Sequence, residues 1–170
     1  RVGCEIRRAH QYPLVTDPDI YLPWLNVANV QVILDVGANV GNSALAYASG
    51  FPNATVHSFE PFRETYERLG RSAARSGGRV KAHRLACGDC DTTTLAQYNG
   101  LVGSEMQRLR ASGAPPLPES VGETIQIVTL DKWTTENGIH FIDILKTDTE
   151  GYDAKVLSGA DDLLCGGLIK

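Results

Sequence analysis

Between Gln31 and Ala86 short apolar runs alternate with helix-length segments, with little chain left over to join them. Gln31 to Val36 is apolar and ends in Gly37-Ala38-Asn39-Val40-Gly41; from Asn42 to Ser49, Ala44, Leu45 and Ala48 then recur at helical spacing. Gly50-Phe51-Pro52-Asn53 breaks that helix and Thr55 to Glu60 reads as the next strand. Phe62 to Ser76 is a charged amphipathic helix closed by Gly77-Gly78, and Arg79 to Ala86 reads as a third strand. Strand–helix connections this short favour parallel strands with right-handed crossovers. The expected fold class is therefore α/β, with a doubly wound, open, mostly parallel sheet.

The second half is less regular. Thr92 to Tyr98 and Glu123 to Leu130 are strand-like and are expected as an antiparallel pair or edge addition. Residues 99–122 between them hold Gly100, Gly103, Gly113, Pro115, Pro116 and Pro118, with one possible helical turn from Ser104 to Arg110. A loop of that length inside a domain is usually functional or disordered. Asp131 to Asn137 predicts a short helix, Phe141 to Thr147 a buried strand, and Tyr152 to Leu164 a helix interrupted at Gly159. Residues 1–30, with Pro13, Pro18 and Pro23 among Tyr12, Tyr21 and Trp24, read as an irregular lead-in to a domain over residues 31–170. Gly166 to Lys170 reads as a turn entering a further strand, so both ends look cut and the sheet is expected to be C-terminally incomplete.

Composition narrows the partners. With 42% hydrophobic residues in a chain of 170, one ordinary core is available. Sixteen basic against twenty acidic residues give a net charge of −4, and no Lys/Arg-rich run stands out, which argues against nucleic acid. Apolar stretches such as Val32-Ile33-Leu34 are far shorter than the ~20 residues of a bilayer span. No charged segment followed by an apolar one marks a leader, so a cytoplasmic protein is expected. The four cysteines are expected as free thiols. Cys87-Gly88-Asp89-Cys90 has redox spacing, but Asp91-Thr92-Thr93-Thr94 follows it as a turn into a strand, and a reactive pair wants a helix N-terminus. Zinc would want more ligands than one such pair.

In an open parallel sheet, ligands bind beyond the carboxyl ends of the strands, near the point where strand order reverses. That selects four loops: Gly37 to Gly41, Glu60 to Phe62, Cys87 to Asp89, and Asp148 to Gly151. His57 and His83 fall inside strands and are expected to be structural, while His140 precedes its strand and so is expected at the opposite edge of the sheet. In the first loop only one glycine of a dinucleotide fingerprint fits, because Asn39 and Asn42 hold the other two places. The spacing Asp35-x-Gly37-x-Asn39-x-Gly41 suits instead a turn that presents backbone N–H groups and a helix N-terminus to a carboxylate. That suggests S-adenosylmethionine. Glu60, 23 residues after Gly37, is placed to accept both ribose hydroxyls, and Asp89 to accept the adenine amine.

Five blocks carry a family resemblance: Asp35 to Gly41, Phe59-Glu60-Pro61, Ala86-Cys87-Gly88-Asp89, Val128-Thr129-Leu130-Asp131, and Ile142 to Gly151. In this order they resemble the FkbM family of S-adenosylmethionine-dependent methyltransferases, across residues 31 to about 165. The resemblance implies a class I methyltransferase (Rossmann-like) fold. It also implies methylation of a hydroxyl on a sugar, polyketide or other small metabolite. Donor contacts are then expected from Asp35, Gly37, Ala38, Asn39, Gly41, Asn42, Glu60, Pro61 and Asp89. The chain departs from the family at Thr147 and Thr149, where apolar residues are commoner, in the proline-rich loop, and beyond Ile169.

Methyl transfer asks chiefly that an acceptor oxygen be held in line with the sulfonium methyl and its proton removed. Asp148 is the expected contact at the reacting end, with Lys146 and Glu150 in support. Lys146, a charge in an otherwise apolar strand, is expected near Asp148 and Glu150, as an ion pair or as a group that orients substrate. Two acids are a poor octahedral set, so no metal is expected. The competing readings are an NAD-dependent oxidoreductase on a similar sheet and a non-catalytic cofactor-binding fragment.

Overall fold

In the computed structural model of the chain, which describes residues 26–99 and 120–170, β1 (Val32–Val36) is an inner strand of a four-stranded parallel sheet. Its neighbours are β2 (Thr55–Phe59) on one side and β7 (Ile144–Thr147) on the other, with β3 (Val80–His83) beyond β2. The order β3-β2-β1-β7 reverses at β1, so the crevice between the carboxyl ends of β1 and β7 is the switch point. Register is fixed by pairs such as Asp35 with Ser58 and Asp35 with Lys146.

The alternation inside β1 builds both faces. Ile33 packs with Tyr47, Ala48 and Phe51 of the α1 (Asn42–Gly50) side and with Ala73 of α2 (Arg63–Ala74). Leu34 and Val36 face Trp133 of α3 (Leu130–Glu136), Val156 of α4 (Asp153–Ser158) and Leu163 of α5 (Asp161–Cys165). A strand buried on both faces reads as a near-continuous apolar run, as this one does. Asp35 is its polar exception.

The segment expected as one strand, Arg79 to Ala86, is two. β3 ends at His83, and β4 (Ala86–Cys87) leaves to pair in parallel with β6 (Ser120–Val128). β6 pairs on its other side with β5 (Thr92–Asn99), antiparallel as expected. The strand expected from Phe141 is also shorter, beginning at Ile144, because Asp143 turns its amide to Val32 O while Ile142 bridges to Ile169. The break at Gly159 is real: a Cβ there would stand 1.9 Å from Gly88 O. The helical turn expected at Ser104 to Arg110, and nearly all of the lead-in, lie outside the described residues. Among the described residues no helix is long and apolar enough to cross a membrane.

Cys87 is buried, and loss of water pushes its thiol pKa up, away from reactivity. Cys90 is free and exposed, and Thr92 opens a strand rather than a helix, as the sequence indicates. His57 and His83, both half-buried, stack on one another and against Trp133, with His57 Nδ1 3.1 Å from His83 Nε2.

Candidate active site

Three of the four selected loops meet at the switch point. Gly37 and Asn39 both take left-handed backbone, φ 74° and 50°, a conformation open to Gly and tolerated by Asn. Gly37 cannot be larger: a Cβ would fall 2.1 Å from Asp148 O, so the first and fourth loops touch there. The N–H groups of Gly37 and Ala38 donate to Phe59 O at 3.1 and 3.0 Å, that of Asn39 to Glu60 Oε2 at 3.2 Å, and that of Gly41 to Ala38 O at 2.9 Å. These four donors are turned onto the protein. The donors that point beyond the loop belong to the first turn of α1, where Asn42, Ser43 and Ala44 have no intrahelical acceptor. Gly41, the N-cap, contributes no side chain to them.

Glu60 is 5% exposed, and each carboxylate oxygen accepts one backbone N–H, Oε2 from Asn39 and Oε1 from Phe62 at 3.1 Å. Each oxygen thus keeps one lone pair for a further donor, the number a vicinal diol supplies. Burial raises its pKa to about 7, against the lowering pull of the two amides and of Lys146. Pro61 lies between Glu60 and Phe62 in the chain. Beside them Asn39 Oδ1 is buried without a protein partner among the described residues, an acceptor suited to an amine or hydroxyl. The loop, the buried acid and the open helix terminus fit an aminoacyl nucleoside such as S-adenosylmethionine.

Lys146 is held differently from the expectation. Its Nζ lies 3.0 Å from Asp35 Oδ1 and donates to Gly37 O at 2.9 Å, while Asp148 Oδ2 is 3.9 Å away. The sequence placed it with Asp148 and Glu150 because those acids follow in the same segment. The nearer partner comes from the adjacent strand, where the register sets Asp35 beside it. Asp35 is wholly buried, and Ser43 Oγ donates to its other oxygen at 2.7 Å. Asp35 and Lys146 therefore hold the glycine loop from below. Asp148 is 65% exposed at the rim of the crevice, and the loop turns back at Glu150, φ 54°, and Gly151, φ 103°.

The third loop follows β4, in the second sheet. Asp89 is exposed and pairs with Lys155 at 3.2 Å, an interaction that holds its carboxyl below the usual range. It lines a separate groove of about 560 Å³ with Thr129, Lys132 and Gly159.

Two supporting residues escaped the sequence reading. Asp153 Oδ1 accepts from Thr149 N–H at 3.0 Å and Thr149 Oγ1 at 2.9 Å, closing the fourth loop. Ser43 secures Asp35. An acid in the first turn of a helix and a serine just after a glycine turn were the available signals. Among the described residues no cluster of His, Cys, Asp and Glu has metal-binding geometry.

Comparison with known proteins addresses the family and the fold. The profile of the Methyltransferase FkbM domain matches residues 35–169. The chain is similar to the methyltransferase sdnD of Sordaria araneosa, with 26% identity over 81% of this chain and 63% of sdnD. It is also similar to the 31-O-demethyl-FK506 methyltransferase FkbM of Streptomyces tacrolimicus, with 28% identity over 77% of this chain and 60% of that protein. The hexuronic acid methyltransferase AglP of Haloferax volcanii shows 26% identity over 78% of this chain and 51% of AglP. The chain thus spans between about half and two-thirds of the length of these relatives. Among solved structures, the methyltransferase FkbM of Methylobacillus flagellatus KT superposes with TM-score 0.57 at 17% identity, over 85% of this chain and 32% of that one.

Proposed function

The chain belongs to the FkbM methyltransferase domain family, and on that premise we propose that it transfers a methyl group from S-adenosylmethionine to a hydroxyl of a small molecule or sugar. The observation that carries this reading is the link between the glycine loop and Glu60: one buried carboxylate tied by Asn39 N–H to the turn that precedes α1. In the proposal Glu60 accepts the two ribose hydroxyls, and the first turn of α1 receives the aminoacyl carboxylate. Asn39 Oδ1 accepts from the donor beside Glu60. Gly37 lets the two loops close on the switch point.

When bound, the donor supplies an activated sulfonium methyl, so little covalent chemistry falls to the protein. Asp148, exposed at the rim beside Gly37, would contact the acceptor hydroxyl and take its proton as the oxygen–methyl bond forms and the sulfur–methyl bond breaks, leaving S-adenosylhomocysteine. Lys146 acts as a positioning residue, through Asp35 and Gly37 O, and Glu150 shapes the loop that carries Asp148. Asp89 is retained as an adenine contact only if Lys155 releases it. The relatives support the acceptor class, since one is named for a hexuronic acid and another for 31-O-demethyl-FK506. An oxidoreductase reading is set aside by the family. Titration with S-adenosylhomocysteine, with NAD as control, tests the donor assignment directly.

A further inference from the structure

The glycine loop has a second neighbour besides Glu60. Arg68 and Arg71 on α2 and Arg75, its C-cap, stand at i, i+3 and i+7, one side of the helix. Together with Val40, Asn42 and Ser72 they line a groove of about 270 Å³. The wall and the loop are joined, because Ser72 Oγ donates to Val40 O at 2.7 Å. Of the other described arginines, Arg63 pairs with Glu67 at 3.2 Å and Arg84 with Glu123, while Arg79 donates to Ala48 O. Among the described residues no carboxylate pairs with Arg68, Arg71 or Arg75. Three like charges thus line one groove in a chain of net charge −4.

We infer that this groove is an anion subsite for a phosphate or diphosphate group carried by the acceptor. A single carboxylate is satisfied by one bidentate guanidinium. Three guanidiniums match a group with at least two charges and several oxygens. A groove of about 270 Å³ has room for such a group. That the anion is borne by the acceptor rests on the methyltransferase reading; the anion site itself does not.

The test is titration of the chain with pyrophosphate, inorganic phosphate and glucose 1-phosphate, at ionic strength fixed with chloride, in the presence and absence of S-adenosylhomocysteine. Saturable pyrophosphate binding is expected, weakened at least tenfold by Arg71→Gln and by Arg75→Gln, both exposed and outside the core. Lys81→Gln, which removes an exposed charge on β3 away from the groove, should change it less than twofold. Glucose 1-phosphate should bind at least as well as inorganic phosphate. No saturable binding, or equal weakening by all three variants, would overturn the site. Inorganic phosphate binding without the ester would reduce it to a free-anion site and overturn the acceptor assignment. Mutual exclusion of pyrophosphate and S-adenosylhomocysteine would give the groove to the donor's own carboxylate, with the same consequence. Should S-adenosylhomocysteine fail to bind, the donor reading falls while the pyrophosphate arm still decides the anion site.

Discussion

Lys146 Nζ stands 3.0 Å from Asp35 Oδ1 across the β1–β7 pairing, and the carboxylate it meets is completely buried. A buried pair offers little net stability over an apolar replacement, but breaking one half leaves an uncompensated charge. Lys146→Met should therefore cost about 3–5 kcal/mol in urea unfolding. The double variant Asp35→Asn/Lys146→Met should recover much of it. An unchanged midpoint for Lys146→Met would show that the pair does not hold the loop.

Gly37 and Gly77 separate backbone strain from contact. Both have positive φ, 74° and 65°, but a Cβ at Gly77 meets nothing within 4 Å whereas one at Gly37 meets Asp148 O at 2.1 Å. Gly77→Ala should cost about 1–2 kcal/mol, the left-handed penalty alone. Gly37→Ala should cost at least twice that in thermal or urea unfolding, since the first and fourth loops must part. Equal costs would mean the two loops are not closely packed.

Much of this was legible in the sequence. The periodicity between Val32 and Ala74 located β1, α1, β2 and α2 to within a residue or two, because each is a local pattern bounded by Gly or Pro. The break between His83 and Ala86 was not legible, since it is imposed by β6, more than thirty residues on, which draws β4 into a different sheet. Lys146 is a similar case: spacing along its own strand pointed to Asp148, and only the register with β1 reveals Asp35. The blocks that carry the family resemblance also mix roles. Asp131 caps α5, accepting from Asp162 and Leu163 N–H at 3.0 Å each. Asp143 accepts from Gln31 N–H at 2.7 Å and Val32 N–H at 3.1 Å, securing the start of β1. Motif membership alone does not separate such scaffold acids from Glu60.

Glu60 should make the protein less stable as pH rises. Its folded pKa, about 7, exceeds the ordinary carboxyl value of 4.5. Its contribution is thus fully present below 4.5 and is lost as pH passes through about 7. Between pH 4.5 and 8, Glu60→Gln should remove that slope, widening the gap in the variant's favour by about 2–3 kcal/mol in urea unfolding. Parallel pH curves for the two proteins would contradict the buried-acid assignment.

His57 acts in the opposite sense. Burial, with His83 and Lys81 nearby, lowers its pKa from 6.5 to about 4. Its neutral form therefore favours the folded state above pH 6.5, and that contribution is lost as pH falls through about 4. His57→Phe, which keeps a ring against Trp133, should flatten the acid limb of stability followed by circular dichroism. An acid limb unchanged in the variant would place the titrating group elsewhere.

Glu60, tied to the glycine loop, is proposed to hold the donor ribose, and calorimetric titration with S-adenosylhomocysteine measures this directly. The chain should bind this ligand saturably and not bind NAD. Glu60→Ala should weaken that binding by about 1–3 kcal/mol, the worth of hydrogen bonds to a charged acceptor. Affinity for S-adenosylhomocysteine unchanged in a folded Glu60→Ala variant would contradict the account.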